Sequence, residues 1–486
     1  MTRRKNTMNL IGDPWIPVIF EEGVTRLVSL QELYEKAEVI RDLILNPPQR
    51  ISVMRLLICI SQAALDGPTD EDDWLSCREL IIPESLKYLE ARRGKFELFG
   101  EQPFLQVKDL DPIDNATLDK LDFGLASGNN PTLFDHGADK EGRPHQPAWI
   151  ALMLLTYQCF SPGGRIGVTT WGRTKTGNGS SEHAPCLESS PMHSILRGEH
   201  LAHTIHLNLL TREQVKTLPG GQWGVPIWDA FPSSQQGEDV NALTHSYLGR
   251  LVPLSRAILL HPASTYCTLA NGLSYPKLPA GREPMVTVVL KGKGNNQKPA
   301  YLNINLSRHA WRELGSLLNL NRMGVAGGAL ALDHLVALGG QTVDFWVGGL
   351  VADRGKLLDV AEWNFSLPLK LLDSTQIEKY RKGVEKANQG ESCVRDAIGK
   401  YCNYLKAEAG GFKAKAVSAY WTTLDAGHKK LIDIACNPCA PMEQWREFLI
   451  KTIHDTYGQA CPHETSRQIQ AFAVGRRALR IGRTDA

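Results

Sequence analysis

The sequence predicts an α+β fold, with a large mixed N-terminal domain over residues 1–370 and a helical C-terminal domain over residues 371–486. This division is supported by one predicted strand pair and by the change from mixed patterns to continuous helical periodicity near residue 370. Residues 285–290 and 300–306 are rich in strand-forming residues and flank a Lys/Gly/Asn turn, which predicts a hairpin. After Pro368 the glycines thin out and helical periodicity continues to the end of the chain. Short links between long helices then predict an antiparallel bundle.

The first elements follow from local patterns. Two prolines within residues 13–18 exclude a helix there and predict an extended segment. The apolar residues of 53–60 follow the spacing of an amphipathic helix. Residues 96–107 predict a short hairpin around Gly100, and the apolar run 148–160 predicts a buried helix.

Two loops and a second strand pair complete the N-terminal domain. Residues 124–147 are rich in Gly, Asn, Asp and Pro and have no periodicity, which predicts a loop of unusual length. A second glycine-rich stretch, 161–181, follows the buried helix, so the two loops should lie at its opposite ends. Residues 343–350 and 356–367 predict a strand pair joined by a turn.

The C-terminal domain is predicted from helical periodicity and its terminators. Gly410, Gly411 and Gly458 are typical of helix ends, and Pro441 is typical of a first helical position. The candidate helices are Thr375–Ala387, Ser392–Glu408, Phe412–Ala435, Met442–Tyr457 and Glu464–Ile481.

Composition sets limits on the function. The formal net charge is only +2, from 54 basic and 52 acidic side chains, so a general nucleic-acid coat protein is disfavoured. DNA contact would have to come from local patches or be shared with partners. Ten scattered cysteines and no visible signal peptide predict reduced thiols and a cytoplasmic protein. The apolar run 148–160 is too short for a bilayer, which takes about 20 residues, so no membrane partner is expected.

Catalytic motifs are missing from the sequence. It has no GxxxxGK(S/T) loop, no GxGxxG after a strand, no GxSxG elbow and no HExxH pair. We therefore expect a protein without enzymatic activity and without a cofactor. A rival interpretation is a metal-dependent hydrolase that uses the histidines of residues 193–206.

A histidine segment and a cysteine segment have metal-ligand chemistry. His200, His203 and His206 could share a helix face, although the same segment also alternates like a strand, which would separate His203 from His206. The cysteine segment supplies ligand types suited to zinc, from Cys436, Cys439, Cys461 and His463. Its two halves flank a predicted helix about 24 Å long, so free thiols are the expected state.

A basic stripe is predicted near the C-terminus. Arg476, Arg480 and Arg483 fall at i, i+4 and i+7 of the last candidate helix. They form either a solvated helix face or a surface that contacts DNA phosphates.

Several ordered blocks resemble the CasA family, the large subunit of the type I-E CRISPR surveillance complex Cascade. The opening block, Met8–Val18, carries the strongest resemblance. The other blocks follow in the same order along the chain: Gln102–Gln106, Pro162–Gly164, Leu196–Gly198, Leu207–Thr211, Asn271–Leu273, Gly348–Gly349 and Asp353–Arg354.

The resemblance implies a mixed N-terminal domain and, more specifically than the periodicity, a C-terminal antiparallel four-helix bundle. It implies a subunit that recognises the protospacer-adjacent motif in double-stranded DNA, helps start strand separation and helps recruit a helicase–nuclease. Its partners would be target DNA, guide RNA, the other Cascade subunits and that nuclease. The alternative is a purely structural scaffold subunit that does not read DNA.

The resemblance also implies which residues contact DNA. Pro162, Gly163, Gly164 and Arg165 match the family's glycine loop, which inspects the minor groove. The segment Asp353, Arg354, Gly355, Lys356 matches a wedge at a β-turn tip. The family often has glutamine at the position of Arg354, and the segment can also be read as an ordinary hairpin turn.

Two further positions are weaker matches. A lysine finger of one branch of the family should fall near Thr265 or Tyr266, where no residue is basic, so the preferred motif should differ or be looser. The long loop matches a segment that contacts DNA or neighbouring subunits, and its alternative is an ordinary surface loop. The loop residues concerned are Asn130, Leu133, Phe134 and Asp135.

Overall fold

The structure is a computed structural model. It describes residues 8–113, 115–125, 142–164, 166–177, 183–339, 341–353 and 356–480. Within these ranges, no helix is both long and apolar enough to cross a membrane.

The chain divides into two compact units. The first contains the described residues of the ranges Met1–Leu306, Leu320–Gly339 and Val343–Phe365. The second contains the described residues of Ser307–Asn319, Gly340–Thr342 and Ser366–Ala486. The fold is a mixture of helices and several small sheets, which confirms the predicted class.

The strands are short except for the last two. In chain order they are β1 (Ile16–Phe20), β2 (Thr25–Val28), β3 (Ile40–Leu43), β4 (Ala116–Thr117), β5 (Thr170–Trp171), β6 (Thr174–Lys175), β7 (His193–Arg197), β8 (Arg256–Leu260), β9 (Tyr266–Asn271), β10 (Val288–Lys291), β11 (Lys298–Tyr301), β12 (Thr342–Asp353) and β13 (Lys356–Pro368).

The described strands form small separate sheets. Their orders are β2-β1-β3, β4-β9-β8, β5-β6, β10-β11 and β13-β12-β7. The predicted hairpin of residues 285–306 is confirmed as β10–β11, in antiparallel register from Val288 opposite Tyr301. The second predicted strand pair is also present, as the longer hairpin β12–β13.

The helices of the first unit surround two buried ones. They are α1 (Leu30–Glu35), α2 (Pro47–Leu65), α3 (Glu71–Ser76), α4 (Ile81–Glu90), α5 (Pro147–Phe160), α6 (Leu201–Leu207), α7 (Arg212–Lys216), α8 (Glu238–His245) and α9 (Tyr247–Leu251).

Helix α2 differs from its prediction as an amphipathic helix. It is buried on all sides from Ile51 to Gln62, because α4, α5 and α9 all pack against it. Its one charged buried residue, Arg55, forms an ion pair with the fully buried Glu283, which Arg250 also contacts. Burial alone would raise the pKa of Glu283, but the two guanidinium groups outweigh it and hold the pKa at about 2.

Helix α5 confirms the predicted buried helix. Pro147 occupies its first turn, where a missing N–H costs nothing, and every residue from Ile150 to Phe160 is buried. The predicted hairpin of residues 96–107 is wrong, since Glu97 makes only isolated bridges, to Asn9 and Pro103. The chain there turns instead at Leu105, whose φ of 53° lies in the left-handed region.

The second unit is mainly helical. Its helices are α10 (Leu314–Leu317), α11 (Ser374–Leu405), α12 (Gly410–Gly427), α13 (Lys429–Cys436), α14 (Glu443–Ala460) and α15 (Ser466–Arg476). The long helix α11 contacts α12, α13, α14 and α15, and α12 also contacts α14.

The predicted division of residues 375–435 into helices is wrong in two places. Residues 375–387 and 392–408 belong largely to the single helix α11, because Gly390 does not end it. A Cβ at Gly390 would collide with the Tyr420 hydroxyl, so this glycine is a point of close helix approach. The predicted helix 412–435 is divided in two near His428.

Candidate nucleic-acid interface

The glycine loop begins directly after α5 and is held by a buried arginine. Arg256 is only 3% exposed, and its Nη2 donates to the Pro162 carbonyl at 2.7 Å. Its Nη1 donates to the Ser255 carbonyl at 2.9 Å. A buried guanidinium needs hydrogen-bond acceptors, and the contact that fixes the loop entry at Pro162 supplies one of them.

A glutamine in α5 joins the helix to the strand that carries Arg256. The Gln158 amide donates to the carbonyls of Arg256 and Leu105 at 2.9 and 3.1 Å, and its Oε1 accepts from the Arg256 N–H at 2.9 Å. Gln158 is completely buried. The glycine loop therefore starts from a rigid junction between α5 and β8.

A histidine holds the second residue of the loop. The Gly163 N–H donates to Nδ1 of His183 at 3.1 Å. Burial lowers the pKa of His183, and the nearby positive charge of Lys277 acts in the same direction against the opposing Glu188. Neutral His183 keeps Nδ1 available as the acceptor.

The tip of the loop is open. Gly164 is exposed, has a φ of 153°, and a Cβ built on it meets no heavy atom within 4 Å. A side chain there would be strained by the backbone rather than by crowding. The neighbouring Arg165 lies outside the described residues, so its predicted role stays a prediction.

Thr265 and Tyr266 lie at the far end of the strand pair that anchors the glycine loop. Arg256 is opposite Asn271 in the β8–β9 ladder, whereas Tyr266 pairs with Thr117 of β4 at the other end of β9. Five residues of strand span about 17 Å. The structure therefore does not bring the backbone of Tyr266 close to that of Arg256.

The hairpin β12–β13 carries the predicted wedge. Asp353 ends β12 and Lys356 begins β13, and both are exposed, while Arg354 and Gly355 lie outside the described residues. β13 is an edge strand of its sheet among the strands described. On this strand Leu358 is 57% exposed.

A serine holds the neck of this hairpin. Ser190 Oγ accepts from the Ala352 N–H at 2.9 Å and donates to the Ala352 carbonyl at 3.2 Å. The Ser190 carbonyl accepts from the Ile304 N–H at 3.0 Å. The backbone one residue before Asp353 is thus tied to the body of the unit.

The long-loop residues Asn130, Leu133, Phe134 and Asp135 lie outside the described residues, and so does Arg483. The predicted helical stripe is wrong in part, because α15 ends at Arg476 and Arg480 follows the helix. Beyond Arg476 the chain turns, which buries Leu479 and brings the Arg480 carbonyl to the Cys393 thiol at 3.3 Å. Arg476 and Arg480 are both exposed but do not share one helix face.

The histidine segment forms the helix α6, so its alternative as a strand is wrong. His206 is buried, stacks on Trp74 at 4.4 Å between ring centroids, and contacts the Trp74 carbonyl through Nε2 at 2.8 Å. His200 caps the helix by accepting from the His203 N–H. His203 Nδ1 accepts from the Glu199 N–H at 3.4 Å, so all three side chains have structural contacts.

The cysteine segment is spread over both ends of α14. Cys439 is exposed, whereas Cys461 is buried, and burial raises the pKa of the Cys461 thiol to about 12. Within the described ranges, no three His, Cys, Asp or Glu side chains are grouped so as to hold a metal ion.

Sequence reasoning missed Arg256, Gln158, His183 and Ser190. Each is a single polar residue with no motif around it, and its loop partner is usually distant in the chain. Pro162 and Arg256, for example, are 94 residues apart. The one sequence signal that could have identified Arg256 is its position directly before the apolar run 257–260, which is typical of a buried strand.

Comparison with solved structures defines the class. The fold matches the crystal structure of CasA from Thermus thermophilus (TM-score 0.77, 23% identity, 97% of this chain and 98% of that chain). It also matches Thermobifida fusca Cse1 (TM-score 0.80, 20% identity, 97% and 96%). A chain described as a CRISPR RNA-guided surveillance complex matches with a TM-score of 0.76 at 16% identity, over 97% and 99%. By fold, the chain is similar to CRISPR-associated proteins.

The sequence comparisons specify the family. The family model for the CRISPR-associated protein Cse1 matches residues 9–456. The CRISPR-associated protein CasA/Cse1 of Thermus thermophilus is 30% identical over 476 residues, which cover 91% of this chain and 90% of that protein. The chain belongs to the Cse1 (CasA) family.

Proposed function

We propose that this chain is the Cascade subunit that recognises the protospacer-adjacent motif in double-stranded DNA, helps open the duplex and helps recruit the helicase–nuclease. Family membership supports the assignment to an RNA-guided complex. The observation that carries the DNA-reading part is the glycine loop, which has a rigid base at Arg256 and an open tip at Gly164.

The physics of the task suits such a loop. Guide RNA reads the long target by base pairing, so the protein has to inspect only a few base pairs. The minor groove is narrow, about 6 Å wide, and admits backbone more readily than bulky side chains. A loop held at Pro162 and Gly163 loses less conformational entropy on binding than an untethered loop would.

The hairpin tip would act as the wedge. Unstacking a base step costs about a few kcal/mol, which new protein–DNA contacts must offset. Lys356 can supply a phosphate contact at the tip, and the Ser190 bonds keep the hairpin neck in place during insertion. Thr265 and Tyr266 would then contact DNA separately from the glycine loop, and Arg476 and Arg480 would contact phosphates from the helical unit.

The proposed role contains no chemical step on DNA by this chain. Binding, bending and strand separation use contacts alone, and cleavage would belong to the recruited nuclease. The net charge of +2 agrees with an electrostatic task shared among subunits and guide RNA.

The test is target binding by the guide-RNA complex assembled with and without this chain. Duplexes with an intact or a scrambled flanking motif are compared at one salt concentration. We expect the chain to create a preference for the intact motif. An unchanged preference would instead support a structural scaffold, and motif reading would lie in another subunit.

A further inference from the structure

Lys120 is a half-buried lysine in the 3-10 turn Leu118–Leu121, which follows β4. In the part of the chain that the structure describes, no carboxylate forms an ion pair with it and no acceptor takes a hydrogen bond from its Nζ atom. The Nζ atom is not sealed from solvent either. Burying an ammonium without a partner costs free energy, and such lysines are more common at functional sites than in ordinary surfaces.

The acids next to Lys120 in the chain are engaged elsewhere. Asp119 is 3% exposed, and its carboxylate contacts the His145 ring. Asp122 Oδ1 accepts from the Gly124 N–H at 2.7 Å. Within the described ranges the fold therefore supplies no counter-charge for Lys120.

Backbone hydrogen bonds fix the place of this turn. The Leu118 N–H donates to the Thr265 carbonyl at 2.8 Å, and Thr117 pairs with Tyr266 in the β4–β9 ladder. The turn also packs against α5, the helix that leads into the glycine loop. Lys120 is thus held beside the predicted motif contacts and against the helix that carries the loop.

The same side chain lies within electrostatic reach of the loop anchor. Burial lowers the pKa of Lys120, the Cys267 thiol acts against this effect, and the positive charge of Arg256 acts with it. Arg256 is the residue that holds the Pro162 carbonyl. An anion bound next to Lys120 would offset both the burial of its charge and the repulsion from Arg256.

We propose that Lys120 contacts a DNA phosphate beside the base pairs that the glycine loop inspects. The proposal rests on the proposed function, because it takes that loop as the motif reader. An ammonium is a compact point charge with three donors, which suits a phosphate oxygen. Because the stem of Lys120 is partly buried, the contact is made at one defined place, where the neighbouring Thr265 and Tyr266 carry no charge.

Replacement of Lys120 by methionine should have opposite effects on folding and on binding. The change removes the unpaired charge and keeps an unbranched apolar stem, so the midpoint of thermal unfolding of the chain should rise. Binding of target duplexes by the assembled guide-RNA complex should become about tenfold weaker, because one charge-assisted contact is lost. The slope of log affinity against log salt should fall by about 1, for intact and scrambled motifs alike.

Two further variants serve as controls. Lys216→Met makes the same charge change at an exposed position of α7 in the same unit and should leave the affinity and the salt slope as in the native chain. Lys120→Arg keeps the positive charge and should restore most of the salt slope. A side chain kept only for its packing would not show this dependence on charge.

Several results would overturn the proposal. A lower unfolding midpoint for Lys120→Met would show that the charge stabilises the fold, and unchanged affinity and salt slope would exclude a phosphate contact. A loss confined to the intact motif would assign Lys120 to a base edge instead, and an equal loss in Lys216→Met would show a general charge effect.

The proposed function is tested separately, by the motif preference of the complex that contains the native chain. If that preference is absent, DNA reading by this chain is wrong, whereas the salt slope of Lys120→Met still decides whether Lys120 contacts a phosphate. If the preference is present and the slope is unchanged, only the assignment of Lys120 is wrong.

Discussion

Replacement of Arg256 by methionine is expected to separate the rigidity of the glycine loop from the stability of the fold. The change keeps an unbranched apolar stem, shorter than that of arginine, and removes the donors to Pro162 and Ser255. Without these bonds the loop will spend less time in its binding conformation. If the loop reads the motif, affinity for the target duplex should fall even though no DNA contact has been removed.

The size of the effect follows from the lost bond. A hydrogen bond from a charged donor contributes about 1.5–3 kcal/mol. If the bond to Pro162 is what keeps the loop in its binding conformation, its loss corresponds to about 10- to 150-fold weaker binding, since about 1.4 kcal/mol is a factor of ten. The bond from Gly163 to His183 remains, so the lower part of this range is expected.

Arg282 provides a matched control within the same unit. It is 4% exposed, compared with 3% for Arg256, and donates to the carbonyls of Gly327 and Gly328 at 3.2 and 2.6 Å. Arg282→Met therefore removes an equally buried guanidinium with two carbonyl partners, but outside the glycine loop. We expect similar loss of thermal stability in both variants and weaker duplex binding only in Arg256→Met.

The assay is titration of an intact-motif duplex with the assembled guide-RNA complex that contains each variant. Arg256→Lys, which retains one charged donor group, should fall between the native chain and Arg256→Met. Equal duplex affinity for Arg256→Met and Arg282→Met would refute the reasoning, because the loop anchor would then have no role in binding.

The remaining predictions concern pH, a buried ion pair and salt. The pKa of His183 is lowered in the folded chain, so its contribution to stability is complete above the ordinary value of about 6.5 and is lost as the pH falls toward the lowered value. Motif binding by the folded complex should weaken as the pH falls through the lowered pKa of His183, and His183→Gln, which cannot titrate, should abolish that part of the pH dependence. Glu283→Gln leaves two guanidinium groups without their carboxylate and should reduce the free energy of unfolding by about 3–5 kcal/mol in urea titrations; a loss below about 1 kcal/mol would contradict the buried triad. Lys356→Ala should weaken binding to intact and scrambled motifs alike and reduce the slope of log affinity against log salt by about 1, whereas an unchanged slope would exclude a phosphate contact.

Much of the fold could be predicted from the sequence because its signals are local. The turn between β10 and β11, the apolar run of α5 and the helical periodicity after Pro368 each depend on neighbouring residues. The predicted break between residues 387 and 392 is absent from α11, where Gly390 admits Tyr420, because such a glycine looks the same in sequence as one that ends a helix. The end of α15 was placed too late because burial of Leu479 overrides the periodicity.

The candidate site was less accessible to prediction. The resemblance located the loop at Pro162 and the hairpin at Asp353, but the residues that hold them are distant in sequence. Arg256 and His183 each hold the loop through one hydrogen bond, and Ser190 holds Ala352 through two. No spacing rule identifies such pairs. Their discovery required the three-dimensional arrangement.

The two bonds of Ser190 determine how the β12–β13 hairpin responds to mechanical load. The ladder with β7 ends at Gly348 and the strand stays buried as far as Val351, so without Ser190 an unsupported arm of two residues, or about 7 Å, would remain from Val351 to Asp353. Because Ser190 binds both the N–H and the carbonyl of Ala352, the unsupported arm is shortened to a single residue. Bending stiffness rises steeply as a beam is shortened, so a force at the tip passes through Ser190 into the body of the unit instead of deflecting the hairpin.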